Sequence, residues 1–301
     1  MTQPNALSAL SDSLADAVAH ANDGVLRVRT GRRVGSGVAW SKDGQIVTVA
    51  GAVGRATTAT VALPGGEEVE ATIKGIDPAL DLALLQVDAE LTPLPRTNGA
   101  DLRVGNIVLI LGRPGRSVRA SLGLVSARGD ETWKTPLGAE VARFIDVDGN
   151  LPPGFGGGAL VDTSGHVVGL NSRSLVRGGT TLPSDTVDAA VAILAEHGTR
   201  ARGWLGVRFE RVALQGDDAE AAGTDAGLLV RGAAENCPAS AAGVRVGDVL
   251  LSLDGKPLGS WRQLAQALAG AAGRELTLRV LRGGEAVELT VTPSEKRGLR
   301  C

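Results

Sequence analysis

The chain has 301 residues, of which 43% are hydrophobic and 21% charged, and its formal net charge is −2. That length and balance fit about two packed domains and exclude global disorder, and a near-neutral charge gives no support to nucleic-acid or acidic-membrane attraction. Aromatic residues make up only 2% and Tyr is absent, which excludes base-stacking platforms and leaves the cores to Val, Leu, Ile and Ala.

In chain order, residues 1–20 carry no Lys or Arg and no continuous apolar run. A secretory leader needs both, so none is expected, and the chain reads as cytoplasmic. No stretch approaches the ~20 apolar residues of a membrane span. Leu7, Leu10, Leu14 and Val18 fall on one face of a helix over 5–20, with Asn5 as its N-cap.

From about 24 to 182, short Val/Leu/Ile runs alternate with Gly, Pro, Asp and Asn clusters. Val69, Ala71 and Ile73 alternate with Glu70, Thr72 and Lys74, the mark of a half-buried strand. Further strands are expected at 106–111, 120–127, 141–147, 159–162 and 166–171, which together suggest an all-β sandwich or barrel. Arg113, Arg116 and Arg119 are expected to be solvated loop charges. A second helix is expected at 184–197, capped by Ser184, burying Val187, Ala190, Val191 and Leu194 and stopped by Gly198. The linker 198–203 is the best boundary, giving domains at 1–199 and 203–296.

The last part reads strand 205–212, strand 227–232, a helical turn at 238–242, strand 248–253 and helix 260–269. A hairpin, 276–282 and 286–292, then closes around Gly283 and Gly284. The two cysteines, Cys237 before Pro238 and Cys301 at the frayed end, form neither a disulfide framework nor a metal-ligand spacing.

Two long motif sets carry a family resemblance. GSGVAWSKDGQIVTVAGAV (35–53), DPALDLALLQV (77–87) and FIDVDGNLPPGFGGGALVDTSGHVVGLNS (144–172) resemble the segments that hold the catalytic histidine, aspartate and serine of HtrA serine proteases. GWLGV (203–207) and CPASAAGVRVGDVLLSLDGKPL (237–258) resemble the carboxylate-binding loop and the conserved-order core of the PDZ domain that follows in that family. The resemblance runs from about Gly24 to Pro293. It implies a mainly β fold, a trypsin-like double β-barrel followed by an α+β PDZ domain.

The same alignment puts Gly51 at the histidine position, Asp81 at the aspartate position and Gly156 at the nucleophile position, with Gly154 in the oxyanion loop. Acyl transfer by a triad needs a hydroxyl, an imidazole and an orienting carboxylate. Glycine supplies none of these, so the expectation is a pseudoprotease and no enzyme, with no catalytic residue, cofactor or metal. Val49, Ala50, Phe155 and Ala159 also depart from the family pattern. The amides of Gly154 and Gly156 either still point inward or have collapsed with the glycine run. Asp81 reads either as a relic of the triad or as a carboxylate that caps backbone amides. His20, His166 and His197 read as ordinary surface histidines, Ser36 as part of a barrel strand and Ser164 as part of a turn.

The resemblance assigns peptide binding to the PDZ domain. Amides of Leu205, Gly206 and Val207 would hold a carboxylate, and the ligand would add as a strand. Leu264 and Leu268 share a helix face and are either groove wall or core, and Trp204 is either a rim contact or packing. The expected partners are protein C-termini or extended peptide segments, with no nucleic acid and no membrane. The role is adaptor, scaffold or regulator. Self-association, pairing with an active HtrA paralogue, and residual or altered hydrolysis using Asp81, Asp146 and Asp148, or a metal, stay open.

Overall fold

The computed structural model describes residues 5–175, 180–199, 202–234 and 236–296. Cys301 and linker residues 200–201 lie outside them. Apart from the turn 136–138, the chain divides near residue 200 into two compact units.

The first unit opens with α1 (Ala6–Ala21), which Asn5 caps by accepting the Ser8 N–H at 2.8 Å. Only the C-terminal half of its apolar stripe is covered. Leu14 and Val18 pack on the core, whereas Leu7 is 76% exposed. A 3-10 turn (Asn22–Gly24) leads into β1 (Val25–Thr30), β2 (Arg33–Ala39), β3 (Gln45–Thr48), the single turn α2 (Ala50–Val53), β4 (Thr58–Ala62), β5 (Glu68–Asp77) and β6 (Leu82–Gln86). These strands close into a barrel in the order β1-β2-β3-β6-β5-β4.

A second barrel is built from β7 (Ile107–Gly112), β8 (Arg119–Gly129), β11 (Phe144–Asp148), β12 (Ala159–Val161), β13 (Val167–Ser172) and β14 (Thr180–Pro183), in the order β11-β14-β13-β12-β7-β8. The short hairpin β9 (Trp133–Lys134) and β10 (Glu140–Val141) stands between β8 and β11 in sequence. Each barrel has its own apolar interior, around Leu26, Ile46 and Leu85 in one and Val108, Ile145 and Leu160 in the other. A third cluster joins them and takes in Val38, Leu84, Leu111, Leu170 and the buried face of α3 (Ser184–His197). Val187, Ala190, Val191 and Leu194 are buried on α3 as the periodicity predicts. Ser184 is not its cap, because Pro183 holds that position and the Ser184 hydroxyl donates to the Thr97 carbonyl.

Arg113 corrects a second expectation. It is only 5% exposed, because its guanidinium donates to the carbonyls of Val25, Arg116 and Asn22 and to the Asn22 side chain. A buried guanidinium needs such acceptors, and here they tie the end of α1 and the start of β1 to the loop after β7.

The second unit starts at β15 (Arg202–Trp204), which pairs with the last strand, β22 (Ser294–Lys296). Its main sheet runs β16 (Val207–Ala213), β17 (Ala226–Ala233), β18 (Val249–Leu253), β20 (Leu276–Arg282), β21 (Glu285–Val291), with β19 (Lys256–Pro257) beside β18. Three helices complete it, α4 (Asp217–Ala222), α5 (Pro238–Ala241) and α6 (Trp261–Ala267). Gly283 and Gly284 have φ of 58° and 84°, the left-handed pair that a two-residue hairpin requires.

Asp248, 2% exposed, is held in a fork by Arg282, Nε to Oδ1 and Nη2 to Oδ2 both at 2.8 Å, and accepts the Arg245 N–H. Burial alone raises this carboxyl, but the Arg282 and Arg245 interactions more than offset it and hold the group below its ordinary 3.8. A depressed acid contributes stability above its unfolded value and loses it as pH falls through the folded one. Asp248→Asn is therefore expected to cost about 2–3 kcal/mol at neutral pH. Urea unfolding of the full chain should show that deficit shrinking as the pH drops below 3.8.

Candidate functional site

The three expected triad positions converge between the barrels. Gly51 lies in α2, and its N–H donates to Asp81 Oδ1 at 3.3 Å, while the Ala50 N–H donates to the Asp81 carbonyl at 3.1 Å. Asp81 sits in the turn before β6 with a left-handed φ of 51°. Its second oxygen accepts the Ser172 hydroxyl at 2.6 Å. Loop 152–158 reaches the same place from the other barrel, since Gly156 O accepts the Ser36 N–H at 3.0 Å and Gly157 N–H donates to Asn171 O at 2.8 Å.

The space around each glycine separates one position from its neighbours. A Cβ at Gly51 would meet nothing within 4 Å, and one at Gly156 would meet only Val49 Cγ2, at 3.5 Å. Neither residue has a left-handed φ. At Gly157 a Cβ would collide with the Ser36 carbonyl, on a φ of 83°, and at Gly158 with the Leu111 carbonyl. Of that glycine run, Gly156 alone has room for a side chain.

Asp81 is mostly buried, and burial raises its carboxyl above the ordinary 3.8, against bonds from Ser172, Ser174 and the Gly51 and Ala50 amides that lower it. A raised acid favours the fold at low pH, so its contribution falls as pH rises from 3.8 through the raised value. None of the histidines shares the site. His20 bonds the Asp16 carbonyl of its own helix, His166 lies 3.5 Å from Asp162, and His197 is exposed. Asp146 and Asp148 stand exposed on β11. Phe155 N–H donates to Pro152 O and Gly158 N–H to Phe155 O, whereas the Gly154 and Gly156 amides donate to no acceptor among the described residues.

Three residues that hold this geometry escape a reading by motif. Ser36, fully buried, donates its hydroxyl to Gly154 O at 2.7 Å and accepts the Arg113 N–H at 2.8 Å. Ser172 completes the carboxylate's shell. Each is an unremarkable serine or arginine in sequence, and only the long-range pairing reveals it.

In the second unit, β16 is an edge strand. Ala234 N–H donates to Gly206 O at 2.8 Å, so Val207 and Ala233 form a non-hydrogen-bonded pair and the Val207 N–H and C=O face the open edge. Gly206 needs its φ of 81°, and a Cβ there would collide with Cys237. Leu205, Val207, Leu264 and Leu268 are all buried in one cluster, and Trp204, half-buried, packs against it. The leucines are therefore part of the core of this unit, with Leu268 one residue past the end of α6.

The Trypsin-like peptidase domain family matches residues 35–170, and the PDZ domain family matches 229–282. The structure titled "HtrA-type protease AlgW with tripeptide" is 32% identical, covers 94% of this chain and 97% of that one, and superposes with a TM-score of 0.60. This chain belongs to the HtrA family. A serine endoprotease from Yersinia pestis, 28% identical, covers 94% and 98% of the two chains with a TM-score of 0.64. Two relatives are named probable periplasmic serine endoprotease DegP-like. The one from Pseudomonas putida F1 is 34% identical over 277 residues, 88% of this chain and 57% of the relative. The one from Halomonas elongata is 32% identical over 280 residues, 89% and 58%. The chain thus spans little more than half the length of the curated relatives it matches.

These names overturn two expectations. The family is enzymatic, so the expectation of no enzyme does not stand. Absent side chains at Gly51 and Gly156 identify missing groups, but an oxyanion hole and binding surface retain about 10³–10⁴-fold catalysis when triad members are removed. The relatives are also named periplasmic, against the cytoplasmic expectation. An export address is written in a leader removed from the mature protein, so the composition of a folded domain does not report its compartment.

Gly51→His with Gly156→Ser is expected to leave the unfolding midpoint within about 1 kcal/mol of wild type, because neither side chain meets an obstacle at its base. Gly157→Ala should cost more than about 3 kcal/mol, through collision and an incompatible φ. Thermal unfolding of the two variants side by side checks the contrast.

Proposed function

We propose that this HtrA-family chain recognises protein C-termini or extended peptide segments through its PDZ domain, and acts on other polypeptides of the periplasm as an adaptor or regulator. The observation that carries the proposal is the open β16 edge beside a glycine-turned loop. Val207 presents its unpaired backbone outward, and Gly206 bends the chain into the shape of a carboxylate nest. Backbone recognition of this kind uses no catalytic side chain. Neighbouring structures of the HtrA-type protease AlgW with decapeptide and with tripeptide support the same reading.

The relatives' names favour a second reading, hydrolysis of peptide bonds by the double barrel. In this chain that chemistry has to proceed without an imidazole at Gly51 or a hydroxyl at Gly156, from the Gly154 and Gly156 amides and Asp81.

One experiment weighs both. The full chain is incubated with a denatured protein and with a peptide library bearing free C-terminal carboxylates, then pulled down and analysed by mass spectrometry. Captured peptides sharing apolar C-termini are the expected outcome, with capture lost in Gly206→Ala. Cleavage products that survive stringent repurification, and disappear in Asp81→Asn, would instead establish the second reading. Capture that persists in Gly206→Ala would move the binding site away from β16.

A further inference from the structure

Arg211 sits at the far end of the edge that would receive the peptide. Residues 207, 209 and 211 of β16 alternate onto the face that looks toward α6. Val207 is buried there and Phe209 packs on the same core. Arg211 is the next in that row, and its Nε donates to the Gly259 carbonyl at 3.0 Å. Gly259 immediately precedes Ser260, the N-cap of α6, whose hydroxyl accepts the Gln263 N–H.

The other end of α6 lies against the start of the unit. Gly203 N–H donates to Leu268 O at 2.9 Å. These two contacts fix α6 antiparallel to β16, its C-terminal end beside the Leu205–Val207 loop and its N-terminal end beside Arg211. At the far end one side chain, that of Arg211, therefore bridges the strand to the residue before the helix.

We propose that Arg211 is a specificity-determining residue that ends strand pairing in the peptide groove after about four ligand residues, so that only about the last four residues of a C-terminal tail are read, whatever the length of the tail; this rests on the PDZ reading given above. The edge from Val207 to Glu210 is roughly 13 Å at ~3.3 Å per residue. A strand paired along it meets the Arg211–Gly259 crossing before it can extend. A ligand residue beyond that point gains no further backbone hydrogen bonds from β16, so added length adds no affinity.

The chemistry of the clasp allows a discriminating pair of variants. Gln places its Nε2 donor as far along the side chain as Arg places Nε, so Arg211→Gln keeps a donor for Gly259. Arg211→Met keeps the length and removes the donor. Arg211 is exposed, so neither change opens a core.

The probes are two synthetic peptide libraries with free carboxylates. One has four residues, all randomised. The other has nine, with the same four randomised behind a fixed Ala-Thr-Ala-Thr-Ala extension. Affinities of matched four- and nine-residue pairs are measured by fluorescence anisotropy with the full chain. In wild type and Arg211→Gln the two lengths are expected to bind within about twofold of each other. In Arg211→Met the nine-residue peptides should gain about fivefold or more, the worth of one or two added backbone hydrogen bonds. A wild-type chain that already binds nine residues fivefold better than four overturns the clasp, as does an Arg211→Met chain with an unchanged length ratio. An Arg211→Gln chain that behaves like Arg211→Met overturns the hydrogen bond as the closing device. Absence of binding to either library overturns the PDZ reading itself, a result distinct from any of these.

Discussion

The buried hydroxyl of Ser36 is the point on which the first unit's site depends. It donates to Gly154 O and accepts from Arg113 N, while the backbone of the same residue donates to Gly156 O and its carbonyl accepts the Thr48 hydroxyl. One residue of β2 thereby fixes loop 152–158, which is carried by the other barrel, and the chain leading out of β7. The guanidinium of Arg113 then reaches back to Val25 and Asn22, so the loop, both barrels and the end of α1 share one polar network inside an apolar seam. Such a network is costly when half-satisfied and rigid when complete. Its bonds to the Gly154 and Gly156 carbonyls limit the freedom of a loop with three consecutive glycines.

That rigidity accounts for the local selectivity of the glycine run. Gly157 and Gly158 lie against carbonyls of β2 and β7 and are required by close approach. Gly156 and Gly51 are required by nothing around them. A position where the fold demands glycine and a position where it merely tolerates glycine are indistinguishable by residue type. The first kind preserves the loop; the second kind has left two open spaces beside a buried carboxylate whose remaining partners are Ser172 and backbone amides.

Much of the architecture was legible in the sequence because it is written in short-range pattern. The period-2 run gave β5, the short apolar runs between turn clusters gave β7, β8 and β13, the 3-4 spacing gave α1 and α3, and the Gly-Gly turn gave the β20–β21 hairpin, each within a few residues. Closure into barrels was legible only through the family motifs, since strand pairing such as β1 with β4 depends on partners far apart in the chain. What stayed hidden were polar groups whose partners are distant. Arg113 reads as a surface charge until its acceptors, contributed by residues 22, 25 and 116, are assembled around it. Ser184 reads as a cap until Thr97 takes its hydroxyl. The pairing of Asp81 with Ser172 spans 91 positions and has no local signature.

Both units present backbone groups without a backbone partner among the described residues. In the barrels these are the amides of Gly154 and Gly156; in the PDZ domain they are the outward N–H and C=O of Val207 beside Gly206. A backbone group's orientation is set by hydrogen bonds on its flanks and by the φ its neighbours permit, and not by its own side chain. Substitution of a side chain can therefore remove an imidazole or a hydroxyl and leave such groups where they were. The proposed recognition edge of β16 therefore does not depend on which side chains stand at positions 51 and 156. In the proposed reading, the residues that matter for recognition are those that orient or limit the backbone: Cys237 behind Gly206 and Arg211 at the end of the edge strand, as Ser36 does for the loop between the barrels.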